Sequence, residues 1–101
     1  MPMTGTEGAA LAEIKRLEKA GALRYDWNHA IPRMEERGAT RADVRHALAS
    51  STDCRLGTGS NDGHFEVMGG VDLDGESLNV VVEIRDGIAI VYVWVITVFE
   101  R

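Results

Sequence analysis

Three residues able to carry chemistry recur at a fixed interval: His29, Arg33 and Arg37, in the run His29-Ala30-Ile31-Pro32-Arg33-Met34-Glu35-Glu36-Arg37-Gly38. Residues four apart on an α-helix lie one above the other, so a helix here would align the three as one stripe. One titratable imidazole followed by two permanent guanidinium charges suits a phosphate diester or a carboxylate. At a phosphodiester, the imidazole would move protons between a ribose 2′-hydroxyl and the 5′-leaving oxygen. The two arginines would stabilise the charge that builds on the phosphorane oxygens. The structural alternative pairs Arg33 and Arg37 with Glu35, Glu36 or the acids of the C-terminal half, and leaves His29 to cap or pack.

The elements that must position this stripe can be read from periodicity and stop signals. Leu11, Ile14 and Leu17 recur at three-residue spacing within Ala9–Ala20, predicting a first helix that Gly21 ends. Ala22–Trp27 reads as a connector. A second helix carries the stripe and stops at Gly38. Either Asn28 is its N-cap, with Pro32 at the fourth helical position, or it begins near Ile31 with Pro32 in the first turn and His29 in the loop before it. Thr40-Arg41-Ala42-Asp43 resembles a capping box and opens a third helix with Val44, Ala47 and Leu48 on its apolar edge. Strands follow: a short one within Thr52–Gly59, then His64–Val71, Ser77–Arg85 and Ile88–Phe99, joined by turn clusters and by Asp86-Gly87 as a two-residue hairpin loop. Helices first and strands afterwards predict an α+β fold, with N-terminal helices on one face of a three- to four-stranded antiparallel sheet. Residues 1–8 read as a flexible N-terminus and 9–101 as a single domain.

With Arg85 opposite Ile88, one sheet face carries Val80, Val82, Ile84, Val91, Val93, Val95, Thr97 and Phe99 toward the helices. That register sets Thr97 on the core face, where only a bulge would turn it outward. The other face carries Ile88, Ile90, Tyr92, Trp94, Ile96 and Val98, more apolar than a solvated face needs, so Ile90, Tyr92, Trp94 and Ile96 are expected to meet a partner. Tyr92 and Trp94 are also of a type that stacks on nucleobases.

Composition narrows the classes. The chain has 101 residues and a formal net charge of −5, unevenly spread: residues 1–55 hold nine Lys/Arg and eight Asp/Glu, residues 56–101 two Arg and eight acids. A polyanion would therefore meet the helical half, and the acidic half suits a basic protein surface. Cys54 stands alone, which excludes an intrachain disulfide and any CxxC motif. His29, His46, His64 and Cys54 lack ligand spacing on a common element, so no metal or other cofactor is expected. Gly69-Gly70 lacks the following helix of a phosphate loop and reads as a turn or bulge. Met1–Gly8 does not read as a signal peptide, and the twelve-residue apolar run Ile88–Phe99 is too short to span a bilayer as a helix; a cytoplasmic protein with no membrane association is expected.

His29-Ala30, Arg33-Met34, Arg37-Gly38, Asp43-Val44 and Val95-Ile96-Thr97-Val98 together resemble an uncharacterised bacterial domain family. Its pattern is H-A-x-x-R-M-x-x-R-G-(I/V), D-V, a glycine-containing strand and a V-I-T-V strand, and it lies near the RelE-, ParE- and BrnT-like ribonuclease toxins. The likeness covers about residues 25–100. It departs from the pattern at Ala39, where a branched aliphatic is usual, and at Pro32 within the motif helix. The resemblance implies His29, Arg33, Arg37 and Thr97 as catalytic residues of a metal-free RNA-cleaving toxin, an RNA substrate, and a cognate antitoxin or other regulator as partner. The alternative is a non-catalytic protein-binding module of the same fold, acting through its apolar sheet face as a homo- or heterodimer.

Overall fold

The structure is a computed structural model that describes residues 5–57, 63–87 and 91–99. Its first helix, α1 (Gly5–Lys19), buries Ala10, Leu11, Ile14 and Leu17 at the anticipated spacing. It starts four residues before Ala9, so residues 5–8, expected in a flexible N-terminus, are helical. Gly21, at φ 76°, ends it: the Gly21 and Ala22 amides donate to the Glu18 and Leu17 carbonyls.

Strand β1 (Leu23–Tyr25) lies where a connector was expected. Helix α2 (Ala30–Arg37) follows, with His29 as the N-cap residue and Gly38, at φ 66°, as the C-cap. Pro32 is therefore the third helical residue, where its missing N–H costs no helical hydrogen bond. Helix α3 (Arg41–Ser50) opens with the anticipated capping box, the Thr40 hydroxyl accepting from the Asp43 amide and the Asp43 carboxylate from the Thr40 amide. Strands β2 (Asp53–Leu56), β3 (Phe65–Met68), β4 (Asn79–Asp86) and β5 (Val91–Phe99) complete the chain.

The fold class is α+β, and the sheet is larger than expected: five strands in the order β1-β5-β4-β3-β2, with β1 parallel to β5 and the other pairs antiparallel. The β4–β5 hairpin also differs. Arg85 pairs with Tyr92 and Asp86 with Val91, so Asp86-Gly87 is not a two-residue loop. The shift of four positions preserves side-chain parity, and Val82 and Ile84 still share the core face with Val95 and Val93. A second irregularity does change parity. Val82 pairs with Val95 but Val81 pairs with Thr97, which leaves Ile96 as a bulge residue. Beyond it Val98 is fully buried opposite Val80, and Thr97 and Phe99 turn to the outer face opposite Val81 and Asn79. Both the core position expected for Thr97 and the outer position expected for Val98 are corrected by this one residue.

Helices α1 and α3 pack on the core face over Val67, Val80, Val82, Val93, Val95 and Val98. A buried carboxylate ties the two helices together: Glu18 accepts from Arg45 Nε at 2.8 Å, and its backbone carbonyl accepts from the same guanidinium at 3.0 Å. Gly70 lies so close to α3 that a Cβ there would stand 2.0 Å from the Ala47 carbonyl oxygen, which explains the glycine without a phosphate-binding role. Helix α2 packs against β5 and contributes Ala30 and Met34 to the core. No helix among the described residues is long and apolar enough to cross a membrane.

Candidate functional site

The start of α2 is built by Asp26. Its carboxylate Oδ1 accepts from the amides of Asn28 at 2.8 Å and His29 at 3.2 Å, and its carbonyl accepts from Ala30 and Ile31 at 2.8 and 3.2 Å. This Asx-type turn bends the chain from the sheet edge into the helix. The other carboxylate oxygen, Oδ2, lies 3.3 Å from His29 Nδ1. The imidazole is thereby oriented by a carboxylate through one nitrogen, while its side chain stays 71% exposed and keeps Nε2 for a ligand. Burial pushes the Asp26 carboxyl upward, but the Asn28 amide, the His29 ring and its charge, and the His29 amide outweigh that and hold it below its ordinary value. The pair is an ionised acceptor behind an accessible imidazole.

A cleft of about 300 Å³ opens beside this pair, lined by Asn28, His29, Pro32, Arg33, Ile96 and Thr97. Three of the four expected catalytic residues, His29, Arg33 and Thr97, therefore share one cleft. Thr97 reaches it because of the Ile96 bulge. Arg33 is half exposed and 3.3 Å from Glu36, a solvated pair that an anionic ligand can displace at little cost. Arg37 lies one turn further along α2, half-buried, and does not line the cleft.

Sequence reasoning missed Asp26. The available signal was an Asp three residues before a His that itself precedes a Pro-containing first turn, a pattern suited to an Asx turn. The other candidates resolve differently. Cys54 is buried, and burial, with Glu7 and Asp53 adding, pushes its thiol up to about 11, which leaves it a poor nucleophile. His46 Nδ1 lies 2.8 Å from the Val71 carbonyl, a structural contact. His64 Nε2 lies 3.4 Å from Glu83 on the outer face of the sheet.

The expected partner strip is more polar than its sequence suggests. Tyr92, Trp94 and Ile96 do lie on the outer face, half-buried, and Ile90 lies outside the described residues. But the Arg24 guanidinium sits 4.5 Å from the Tyr92 ring centroid, and that of Arg85 4.6 Å from the Trp94 centroid. Planar cations from neighbouring strands therefore lie over both rings.

No family model, no characterised protein and no solved structure matches this chain. The resemblance to the toxin-like domains accordingly rests on the motif residues alone, and function has to be read from the chemistry of the cleft.

Proposed function

We propose that this chain is a metal-independent RNA-cleaving protein of toxin type, with its reactive centre in the α2–β5 cleft. The observation that carries the reading is the convergence of a carboxylate-oriented imidazole (Asp26–His29), a displaceable guanidinium (Arg33) and a bulge-presented hydroxyl (Thr97) on one open cleft. In this mechanism His29 Nε2 takes the proton of a ribose 2′-hydroxyl as that oxygen bonds to the adjacent phosphorus. The bond from phosphorus to the 5′-oxygen breaks, and the imidazolium returns the proton to that leaving oxygen. The products are a 2′,3′-cyclic phosphate and a free 5′-hydroxyl. Asp26 fixes the ring and stabilises the imidazolium, while Arg33 and the Thr97 hydroxyl donate to the non-bridging oxygens as their charge grows. Arg37 adds positive field one helical turn behind Arg33.

A regulator protein that covers the outer face next to this cleft, through Tyr92, Trp94 and Ile96, belongs to the same reading, as does action in the cytoplasm, where RNA is met. The half-buried Ile96 and Phe99 beside the cleft favour such a cover.

The test is cleavage of a single-stranded RNA in chelator and of the same sequence with 2′-O-methyl riboses. The wild type should cut only the first and leave cyclic phosphate ends. His29→Ala should slow it by about 10²–10⁴-fold, with unchanged circular dichroism. Intact RNA under folded wild-type protein, or equal cleavage of the 2′-O-methyl strand, overturns the reading.

A further inference from the structure

A second cleft, of about 300 Å³, opens at the β1 edge of the sheet, and its lining differs in kind from the first: Leu23, Arg24, Tyr25, Trp27, Arg41 and Trp94. No acidic residue is among them. Among the described residues neither Arg24 nor Arg41 lies within ion-pair distance of a carboxylate, whereas Arg16, Arg33, Arg45, Arg55 and Arg85 each do. The two guanidiniums are held instead on aromatic faces. Arg41 is 5.1 Å from the Tyr25 ring centroid and 5.8 Å from that of Trp27, and Arg24 is 4.5 Å from that of Tyr92. Trp27 is 70% exposed, a large apolar ring left in water.

We propose that this cleft binds one nucleotide unit of single-stranded RNA, its base stacked on Trp27 and its phosphate held by Arg24 and Arg41. The chemistry selects the ligand. Guanidiniums with no ion-pair partner among the described residues call for an anion, and an open indole beside them calls for a flat π-surface; a nucleotide supplies both within one unit. An acidic peptide would satisfy the arginines and leave the indole wet. The position agrees with the first cleft. Trp27 is two residues from His29, and Trp94 lies on β5 two residues before Ile96. Two residues span at most about 7 Å, and Trp27 to His29 is a turn that brings them closer still, so a strand with one base on Trp27 can continue to the His29–Arg33 cleft. Of the acids on the outer face, Glu66 lines the pocket on the other side of Ile96 and Thr97, and Glu83, the cross-strand neighbour of Trp94, is ion-paired with Arg85 and does not line this cleft.

The substrate role of the site rests on the RNA-cleaving reading, but binding itself can be measured apart from it. Both tryptophans of the chain line this cleft, so intrinsic fluorescence reports its occupancy directly. The probe is an uncleavable 2′-O-methyl single-stranded octanucleotide, titrated into wild type, Trp27→Ala, Arg24→Gln, Arg41→Gln and, as a control on the opposite edge strand β2, Arg55→Gln. Wild type and Arg55→Gln should show saturable quenching with equal affinity. Trp27→Ala, read through Trp94, should bind about tenfold more weakly. Each arginine variant should lower the slope of log affinity against log salt by about 0.7, the loss of one phosphate contact on a single strand. A duplex of the same sequence should quench far less. Absence of quenching, equal binding by Trp27→Ala, or equal quenching by a polyglutamate peptide overturns the proposal. Binding without any cleavage by the wild type would overturn the catalytic reading and leave this one standing. Cleavage with an unchanged KM in Trp27→Ala would do the reverse.

Discussion

Helices α2 and α3 begin with the same device, an aspartate that accepts backbone N–H groups at the first turn, and the device serves a different end in each. At α3, Asp43 is buried, and both its oxygens are committed: Oδ2 to the Thr40 amide and hydroxyl at 2.8 and 3.0 Å, Oδ1 to the Leu73 amide at 3.0 Å. It locks the helix to the Asp72–Gly75 turn thirty residues away, and nothing is left for a ligand. At α2, Asp26 Oδ1 accepts from the Asn28 and His29 amides just ahead of the helix, but Oδ2 faces an imidazole whose other nitrogen is open to the cleft. A satisfied polar network specifies structure, and one whose last member faces solvent becomes a site.

The contrast breaks most visibly at Asp43. Asp43→Ala should remove the capping box and leave the Leu73 amide without its acceptor, lowering the free energy of unfolding by about 2–3 kcal/mol in a urea titration. Its effect on RNA cleavage at a temperature where the variant is folded should be small. A variant as stable as the wild type would show that the start of α3 is not a structural lock.

Asp26→Asn sharpens the other side. The amide keeps an oxygen for the Asn28 and His29 N–H groups, so stability should fall by less than about 1 kcal/mol. Orientation of the imidazole and support for its charge are lost, and kcat should drop by about tenfold, part of the full acid–base contribution, with KM nearly unchanged. Parallel losses of stability and activity in this variant would make Asp26 a second structural cap and remove the distinction.

The same pair of helix starts shows what a sequence discloses. Thr40-x-x-Asp43 is local, confined to one turn, and could be read directly. The His29/Arg33 spacing is local too, and the helix that places it begins at Ala30, between the two starts considered, with His29 as its N-cap and Pro32 in the first turn. Strand β1 escaped because Leu23-Arg24-Tyr25 has no period to detect and is held by parallel pairing with residues seventy positions away. The β4–β5 register escaped because a four-residue slip leaves every side chain on its expected face, so hydrophobic alternation cannot distinguish the two pairings. The Ile96 bulge sits in the unbroken apolar run Val91–Phe99, where no glycine or proline marks it. Yet it decides whether Thr97 faces the core or the cleft.

The smallest effect separates the two aspartates by pH. Both carboxyls are held below their ordinary value of 3.8 in the folded protein. A lowered folded-state pKa means that the unfolded chain binds the proton first, so each contributes stability that is complete above the unfolded value and is lost as the pH falls through the folded one. The causes differ. For Asp43 the hydrogen bonds from the Thr40 and Leu73 amides come first and burial only partly opposes them, whereas for Asp26 burial is the largest single influence and works against the shift. Asp43→Asn should therefore flatten the decline of unfolding free energy between about pH 5 and pH 2 more than Asp26→Asn does, in denaturant titrations repeated at each pH. Equal flattening would mean that the solvent-facing turn holds its carboxylate as firmly as the closed capping box, and that exposure of His29 at the start of α2 is not matched by any looser hold on Asp26.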